Sequence, residues 1–174
     1  ELAQLGQMRL FSDGNNSQQV LDLYEKPPVP FTPDTRPEVL MLVASAQRQL
    51  EKIPEALGTY DAVSTEFPGS VYDKEAQYER LRTMWAKEDE NLLAEIDKYL
   101  QANPEAQKRD EVMLMKAELL FIKEDYANAM PIYSALELSR LLSGNRKAEA
   151  LFRLGWCQIQ TQNRAIIIVP KVMN

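Results

Sequence analysis

The chain has 174 residues, of which 45% are apolar and 26% charged, and this composition is ordinary for a soluble globular protein. The formal net charge of -6 gives an acidic surface that repels phosphate backbones, so we expect no nucleic-acid partner. No apolar run approaches the roughly 20 residues that a membrane-spanning helix needs, so we also expect no transmembrane segment.

The residue types that most enzymes and metal sites use are scarce. Histidine is absent, which removes the commonest general acid–base group and the commonest ligand of zinc, iron and copper. The single cysteine, Cys157, cannot form an intrachain disulfide and does not settle the cellular compartment. No phosphate-binding loop, dinucleotide-binding motif or nucleophile motif occurs. We therefore predict that the protein is not an enzyme and has no catalytic residues, no metal and no cofactor.

The N-terminal part is predicted to be a pair of helices followed by a connector. From Leu2 to Phe11 an apolar residue recurs at every third position, which suits one face of a helix. A turn-forming cluster follows, and Ser17 is placed to cap a second helix. We interpret residues 1–26 as a degenerate N-terminal helix pair. Residues 27–36 contain four prolines and are predicted to be an extended, Pro-rich connector.

The rest of the chain repeats itself. Four stretches begin with Glu and place a small or apolar residue six positions later: Glu38…Ala44, Glu75…Leu81, Glu111…Ala117 and Glu149…Gly155. Steps of 37, 36 and 38 residues separate them, a period that is typical of stacked helix hairpins. Turn signals divide residues 37–162 into helices predicted at 37–50, 54–67, 71–86, 91–102, 110–122, 126–142 and 146–161.

The last residues, 163–174, are expected to form an irregular C-terminal tail. The run Ile166–Val169 is β-branched and is followed by Pro170, a pattern that favours a strand or coil over a helix.

The residue types at fixed repeat positions resemble those of tetratricopeptide-repeat (TPR) proteins. That family favours small residues at the eighth and twentieth positions and an aromatic residue at the twenty-fourth. The corresponding residues here are Ala44, Leu81, Ala117 and Gly155, then Ala56, Leu93 and Ala129, then Tyr60, Asp97 and Tyr133. Small side chains let two helices cross closely, and in the second repeat Ile96 is the candidate for the place of the aromatic. The resemblance implies an all-α fold, a right-handed α-solenoid of about three and a half to four TPR-like helix hairpins.

One stretch carries a narrower resemblance. The sequence ALGTYDAVSTEFPGSVYDKEAQYERL is similar to repeats of bacterial cell-envelope proteins, namely the Tol–Pal-associated periplasmic repeat proteins and the lipoprotein of outer-membrane assembly. This resemblance implies a periplasmic or cell-envelope location, with the cytoplasm as the alternative.

The TPR resemblance also implies where a ligand would bind, because the first helix of each hairpin lines the concave surface in that family. Exposed aromatic residues with a nearby arginine are usual anchors of protein-binding surfaces. We therefore predict a non-catalytic module that binds a peptide or a partner helix in this groove. The predicted partner-binding residues are Tyr78, Arg82, Trp85, Leu114, Glu118, Phe121, Phe152 and Trp156.

Other interpretations remain open. Aromatic residues at helical spacing can equally be packed between helices, and the segment could be a structural spacer that associates with itself. It could also be the helical arm of a larger enzyme. The four glutamates that start the repeats could form an acidic strip for a basic peptide, or each could lie in a first helical turn, where the helix dipole favours negative charge.

Overall fold

The computed structural model describes residues 1–137, 139 and 144–172, with side chains in the last helix as far as Gln162. Within these residues the chain forms nine helices and no strand, which confirms the predicted all-α class. The helices are α1 Leu2–Asp13, α2 Ser17–Glu25, α3 Arg36–Gln49, α4 Ile53–Glu66, α5 Val71–Ala86, α6 Leu92–Ala102, α7 Arg109–Ile122, α8 Tyr126–Glu137 and α9 Gly144–Val172. The right-handed stacking of the hairpins stays a prediction.

Most predicted helix boundaries agree with the structure to within one or two residues, but two C-terminal ends differ. Helix α8 was predicted to reach residue 142 and ends at Glu137; residues 138 and 140–142 lie outside the described part of the chain. Helix α9 continues to Val172, so the prediction of an irregular tail over 163–174 is wrong as far as the structure describes it. The physical reason is that β-branched residues cost only about 0.5 kcal/mol each in a helix, and extending a formed helix is easier than starting one.

The chain divides into two compact units, Glu1–Leu92 and Leu93–Asn174. The first contains α1 to α5 and two buried apolar clusters. One cluster joins the N-terminal helix pair to α3 and consists of Leu5, Met8, Val20, Leu21, Val39, Val43 and Ala46. The other joins α3, α4 and α5 and consists of Leu40, Ala44, Tyr60, Val63 and Ala76. The predicted small residue Ala44 and aromatic Tyr60 are both almost fully buried in it.

The second unit contains α7, α8, α9 and all but the first residue of α6. One buried apolar cluster of this unit consists of Leu114, Ala117, Leu120, Ala129, Tyr133, Leu136, Ala150 and Cys157. Here too the residues at the eighth, twentieth and twenty-fourth repeat positions, Ala117, Ala129 and Tyr133, are fully buried. The small side chains allow α7 and α8 to approach closely, and the tyrosine ring fills the space beside them.

One turn geometry recurs through the chain. Asn15, Glu51, Glu88 and Glu124 lie 36, 37 and 36 residues apart, and each has a left-handed φ between 53° and 59°. After each of them, the next residue donates its backbone N–H to the carbonyl five positions earlier, as in Asn16 to Phe11 and Lys52 to Gln47. This is the hydrogen-bond pattern of a Schellman helix end. The N-terminal pair α1–α2 is therefore a hairpin of the same kind as α3–α4 and α7–α8.

The Pro-rich connector is held by the first residue of the chain. The Glu1 carboxylate accepts hydrogen bonds from the Thr32 backbone N–H at 2.8 Å and the Thr32 hydroxyl at 2.7 Å, and also from the Thr35 hydroxyl. These bonds lower the pKa of Glu1 to about 2. The prediction that Ser17 caps α2 is wrong: Ser17 is the first residue of the helix, and its hydroxyl donates to the Gln49 side chain at the end of α3.

Candidate protein-interaction site

Three of the predicted partner-binding residues lie on one face of α5, because residues four and seven positions apart share a helix face. Tyr78 is 7% exposed, and the Arg82 guanidinium carbon lies 5.8 Å from the centroid of its ring. Arg82 is exposed and also forms an ion pair with Glu79 at 2.7 Å. Trp85 is half-buried. This face of the first unit therefore combines an arginine with two aromatic rings.

The second unit brings a similar set of groups together around Arg153 of α9. Its guanidinium lies 5.4 Å from the centroid of the Phe121 ring. It also forms ion pairs with Glu118 of α7 at 3.2 Å and with Glu149 at 2.5 Å. Burial raises the pKa of Glu118 above its usual range, and the positive charge of Arg153 opposes that rise.

The other side of Phe121 faces the core. Its ring meets the Tyr126 ring edge-on at 5.4 Å and the Tyr133 ring at 6.4 Å. Tyr133 is fully buried, and burial raises its pKa to about 12 in spite of the nearby Arg153 guanidinium. Leu114 is 9% exposed and belongs to the same core. The predicted α7 residues therefore contribute to packing, and Phe121 presents only part of its ring to solvent.

The two predicted residues on α9 are placed differently, because both are exposed. Phe152 is 71% exposed and Trp156 43%. Leu151 and Ile159, which the sequence analysis did not include among the partner-binding residues, extend this apolar surface at 40% and 54% exposure. We name this face, with the small residues between its large ones, the α9 stripe; it consists of Ala148, Leu151, Phe152, Gly155, Trp156 and Ile159.

The structure thus groups the eight predicted residues as three on α5 in the first unit and five on α7 and α9 in the second. Sequence reasoning missed Arg153, which organises the second group. The sequence signal that could have found it is a basic residue about one repeat length after an acidic residue, because ion pairs recur at that separation. These pairs are Arg153 with Glu118, Arg146 with Glu111 and Lys87 with Glu51, at separations of 35, 35 and 36 residues.

The glutamates at the starts of the repeats do not form a free acidic strip. Glu38 pairs with Arg9 at 2.5 Å, Glu111 pairs with Lys108 and Arg146, and Glu149 pairs with Arg153. Two of the four, Glu38 and Glu111, lie in a first helical turn. The helix-dipole interpretation holds for those two.

Among the residues that the structure describes, no group of three or more His, Cys, Asp or Glu side chains could hold a metal ion. An open cavity of about 600 Å³ lies between the α1–α2 turn and the end of α3. Its lining is mainly amide side chains and contains no acidic or basic group: Asn15, Asn16, Ser17, Gln18, Gln19, Gln49 and Leu50.

The fold defines the class of this protein, an all-α protein of repeated TPR-like helix hairpins. Residues 34–148 match the sequence model of the YfiO family, described as outer membrane lipoprotein, and this match covers more than half of the chain. The chain belongs to this family, which confirms the resemblance to cell-envelope TPR proteins drawn from the sequence. A comparison with curated proteins found no match. Among the described helices, none has the length and apolar character needed to cross a membrane.

Proposed function

We propose that this protein is a non-catalytic interaction module of outer-membrane assembly, and that it binds a peptide or a helix of partner proteins through residues of its first helices. The binding residues would be Tyr78, Arg82 and Trp85 on α5 and Leu114, Glu118 and Phe121 on α7. In the TPR family, first helices line the concave surface, so each of these two sets would contact a peptide or a helix within its own unit.

The observation that carries this proposal is that each unit holds an arginine guanidinium against an aromatic ring. Arg82 lies over Tyr78 in the first unit, and Arg153 lies over Phe121 in the second. Arginine and large aromatic residues are enriched at the energetic centres of protein interfaces. A guanidinium held against a ring keeps its orientation, so less conformational entropy is lost when a partner binds.

The two sets favour a ligand with apolar side chains and only a few charges. Trp85 and Phe121 are both half-buried, so each ring presents part of its surface while its position is fixed by packing. Amphipathic tyrosine, tryptophan and arginine side chains can contact apolar groups and still remain partly hydrated. An amphipathic helix or an extended apolar peptide meets these requirements.

The test is a capture experiment from bacterial envelope extracts with the purified chain immobilised. We expect Trp85→Ala and Phe121→Ala to reduce capture of the specific partner at least tenfold, the effect of losing one interface centre of about 1.4 kcal/mol or more. The matched controls are Val71→Ala and Ile122→Ala, which remove exposed apolar side chains on the same two helices. Circular dichroism must show that all four variants keep their helices. Equal capture by the variants and the controls would reject the proposal.

A second candidate function, self-association as part of a larger assembly, is favoured by one specific observation, the exposed apolar surface of α9.

A further inference from the structure

Arg48, in the last turn of α3, is a half-buried arginine without a carboxylate partner. Its Nε atom is buried and has no hydrogen-bond partner. In the part of the chain that the structure describes, no Asp or Glu side chain forms an ion pair with it. The C-terminal end of α3 supplies only a partial negative charge. This positive charge has lost part of its water and lacks the compensation that a buried charge normally has.

Arg48 belongs to a cluster of charged groups that also contains residues of α5. Its guanidinium contacts the hydroxyl of Tyr60, a buried residue of α4. Burial, and after it the Glu79 carboxylate, raises the pKa of Tyr60. The positive charges of Arg48 and Arg82 oppose this rise. All three charged groups therefore act on one hydroxyl, and the cluster has two positive charges and one negative charge.

The single carboxylate of this cluster is already paired. Glu79 accepts from Arg82 at 2.7 Å, and its side chain is only 16% exposed. The Arg82 side chain is 51% exposed and lies over the Tyr78 ring, so its guanidinium is oriented and still reaches solvent. Because Glu79 compensates Arg82, the charge of Arg48 remains in excess.

The second unit has the opposite balance of charge at the corresponding place. Tyr133 occupies the repeat position of Tyr60, and the positive charge near its hydroxyl belongs to Arg153. Arg153 forms ion pairs with two carboxylates, those of Glu118 and Glu149. The excess of positive charge is therefore not a general property of these hairpins, and it distinguishes the set of groups in the first unit.

We propose that the first unit binds a carboxylate group of its peptide partner through Arg48 and Arg82. This inference rests on the proposed function and adds the chemistry of the ligand to it. Arg48 precedes Trp85 by 37 residues, one repeat, so it occupies the same position of a first helix as a proposed binding residue. A bound carboxylate supplies the negative charge that Arg48 lacks, while Trp85 contacts the apolar part of the peptide.

A carboxylate suits arginine better than a single-point acceptor does. The planar guanidinium offers several N–H groups in a fixed fork, which matches the two oxygens of a carboxylate. An Asp or Glu side chain and the C-terminal carboxylate of a peptide both present this group. The net charge of -6 repels strongly acidic peptides, so the partner carries one such carboxylate among apolar residues.

The test starts with the purified chain selecting peptides from a random library that is displayed with free C termini. The wild-type chain is expected to select apolar peptides whose binding needs one carboxylate, and Arg48→Gln to select peptides without that requirement. The matched control is Arg109→Gln, which removes another half-buried arginine, one that donates to the Met113 sulfur on α7. This control should select like the wild type. Circular dichroism must show that both variants keep their helices.

Fluorescence anisotropy with one selected, labelled peptide then identifies the carboxylate. An amide in place of the acidic side chain and an amidated C terminus are separate arms, which distinguish the two sources. Removing the carboxylate that binds should weaken binding to the wild-type chain about tenfold, the effect of one charge-assisted hydrogen bond. The same change should have little effect on binding to Arg48→Gln, and added salt should weaken only the carboxylate-dependent binding.

The outcomes separate this inference from the function on which it rests. Selected peptides that bind equally well without any carboxylate overturn the inference and leave peptide binding standing. A loss that is as large with Arg48→Gln as with the wild type also overturns it, because the arginine then acts only through the fold. A library from which the wild-type chain selects no peptide rejects the proposed function and this inference together.

Discussion

Arg153 and Glu118 form an ion pair that links α9 to α7, with 3.2 Å between guanidinium and carboxylate and less than a quarter of either side chain exposed. Because Glu118 is partly buried, it depends on this arginine for compensation of its charge. The same guanidinium covers the Phe121 ring, so one side chain connects charge and packing in the second unit.

Removing Arg153 should therefore destabilise the protein. We expect Arg153→Leu to lower the free energy of unfolding by about 2 kcal/mol, between the values for exposed and buried pairs. Adding Glu118→Gln should restore part of the loss, because the uncompensated carboxylate is then gone. The control Arg146→Leu removes a more exposed arginine with a 3.4 Å pair and should cost less than about 0.5 kcal/mol. Urea denaturation measures all three; equal losses for Arg153→Leu and Arg146→Leu would contradict the assignment.

Tyr133 should make the protein sensitive to alkali. Its pKa is about 12 in the folded protein against 10.0 for an ordinary tyrosine, so the folded state keeps the proton where the unfolded state releases it. Stability therefore falls as pH rises from 10 to 12, by up to about 3 kcal/mol from this group. Tyr133→Phe should remove this part of the pH dependence. The urea midpoints of the wild-type protein and of Tyr133→Phe at pH 9 and pH 11 measure this pH dependence. An equal fall of the midpoint between the two pH values in both proteins would refute the prediction.

Glu1 should make the protein sensitive to acid. Its pKa is lowered to about 2 by hydrogen bonds from Thr35 and Thr32, so its stabilising contribution is complete above pH 4.5 and is lost as pH falls towards 2. Glu1→Gln should be less stable than wild type at neutral pH, and the difference should shrink in acid. Thermal unfolding at pH 7 and pH 3 tests this, with the exposed Glu75→Gln as the control. A stability difference between wild type and Glu1→Gln that is the same at pH 7 and pH 3 would contradict the role assigned to the Glu1 carboxylate.

The recurring turns predict a stabilising substitution. Glu88 has a φ of 53°, a conformation that costs a residue with a Cβ atom roughly 1 kcal/mol and costs glycine little. Glu88→Gly should raise the free energy of unfolding by about 0.5 to 1 kcal/mol, as measured by urea denaturation. Glu88→Ala removes the same charged side chain without relieving the backbone, so it should give no gain. A gain of equal size in both variants would show that the carboxylate, not the backbone, is responsible.

Helix positions could be predicted because their signals are local. The 36- to 38-residue period, the turn residues and the small and aromatic residues at fixed positions located seven hairpin helices, and Ala44, Tyr60, Ala117 and Tyr133 are buried as predicted. The α9 tail was missed because the preference of a β-branched run for strand or coil is weak.

The candidate site was less predictable. Sequence position alone treats Phe121 and Phe152 as equivalent anchors, yet one is half-buried between an arginine and two tyrosines and the other is 71% exposed. The difference arises from whether a second helix covers the face, and that depends on neighbours distant in the chain.

The sequence by itself determined the helices, their hairpin order and the family, because periodicity and turn chemistry act over a few residues and repeat along the chain. Only the tertiary structure decided which charges meet and which aromatic rings reach solvent. Arg153 finds Glu118 35 residues away because α7 and α9 pack side by side, and no local pattern records how much of a side chain that packing leaves exposed.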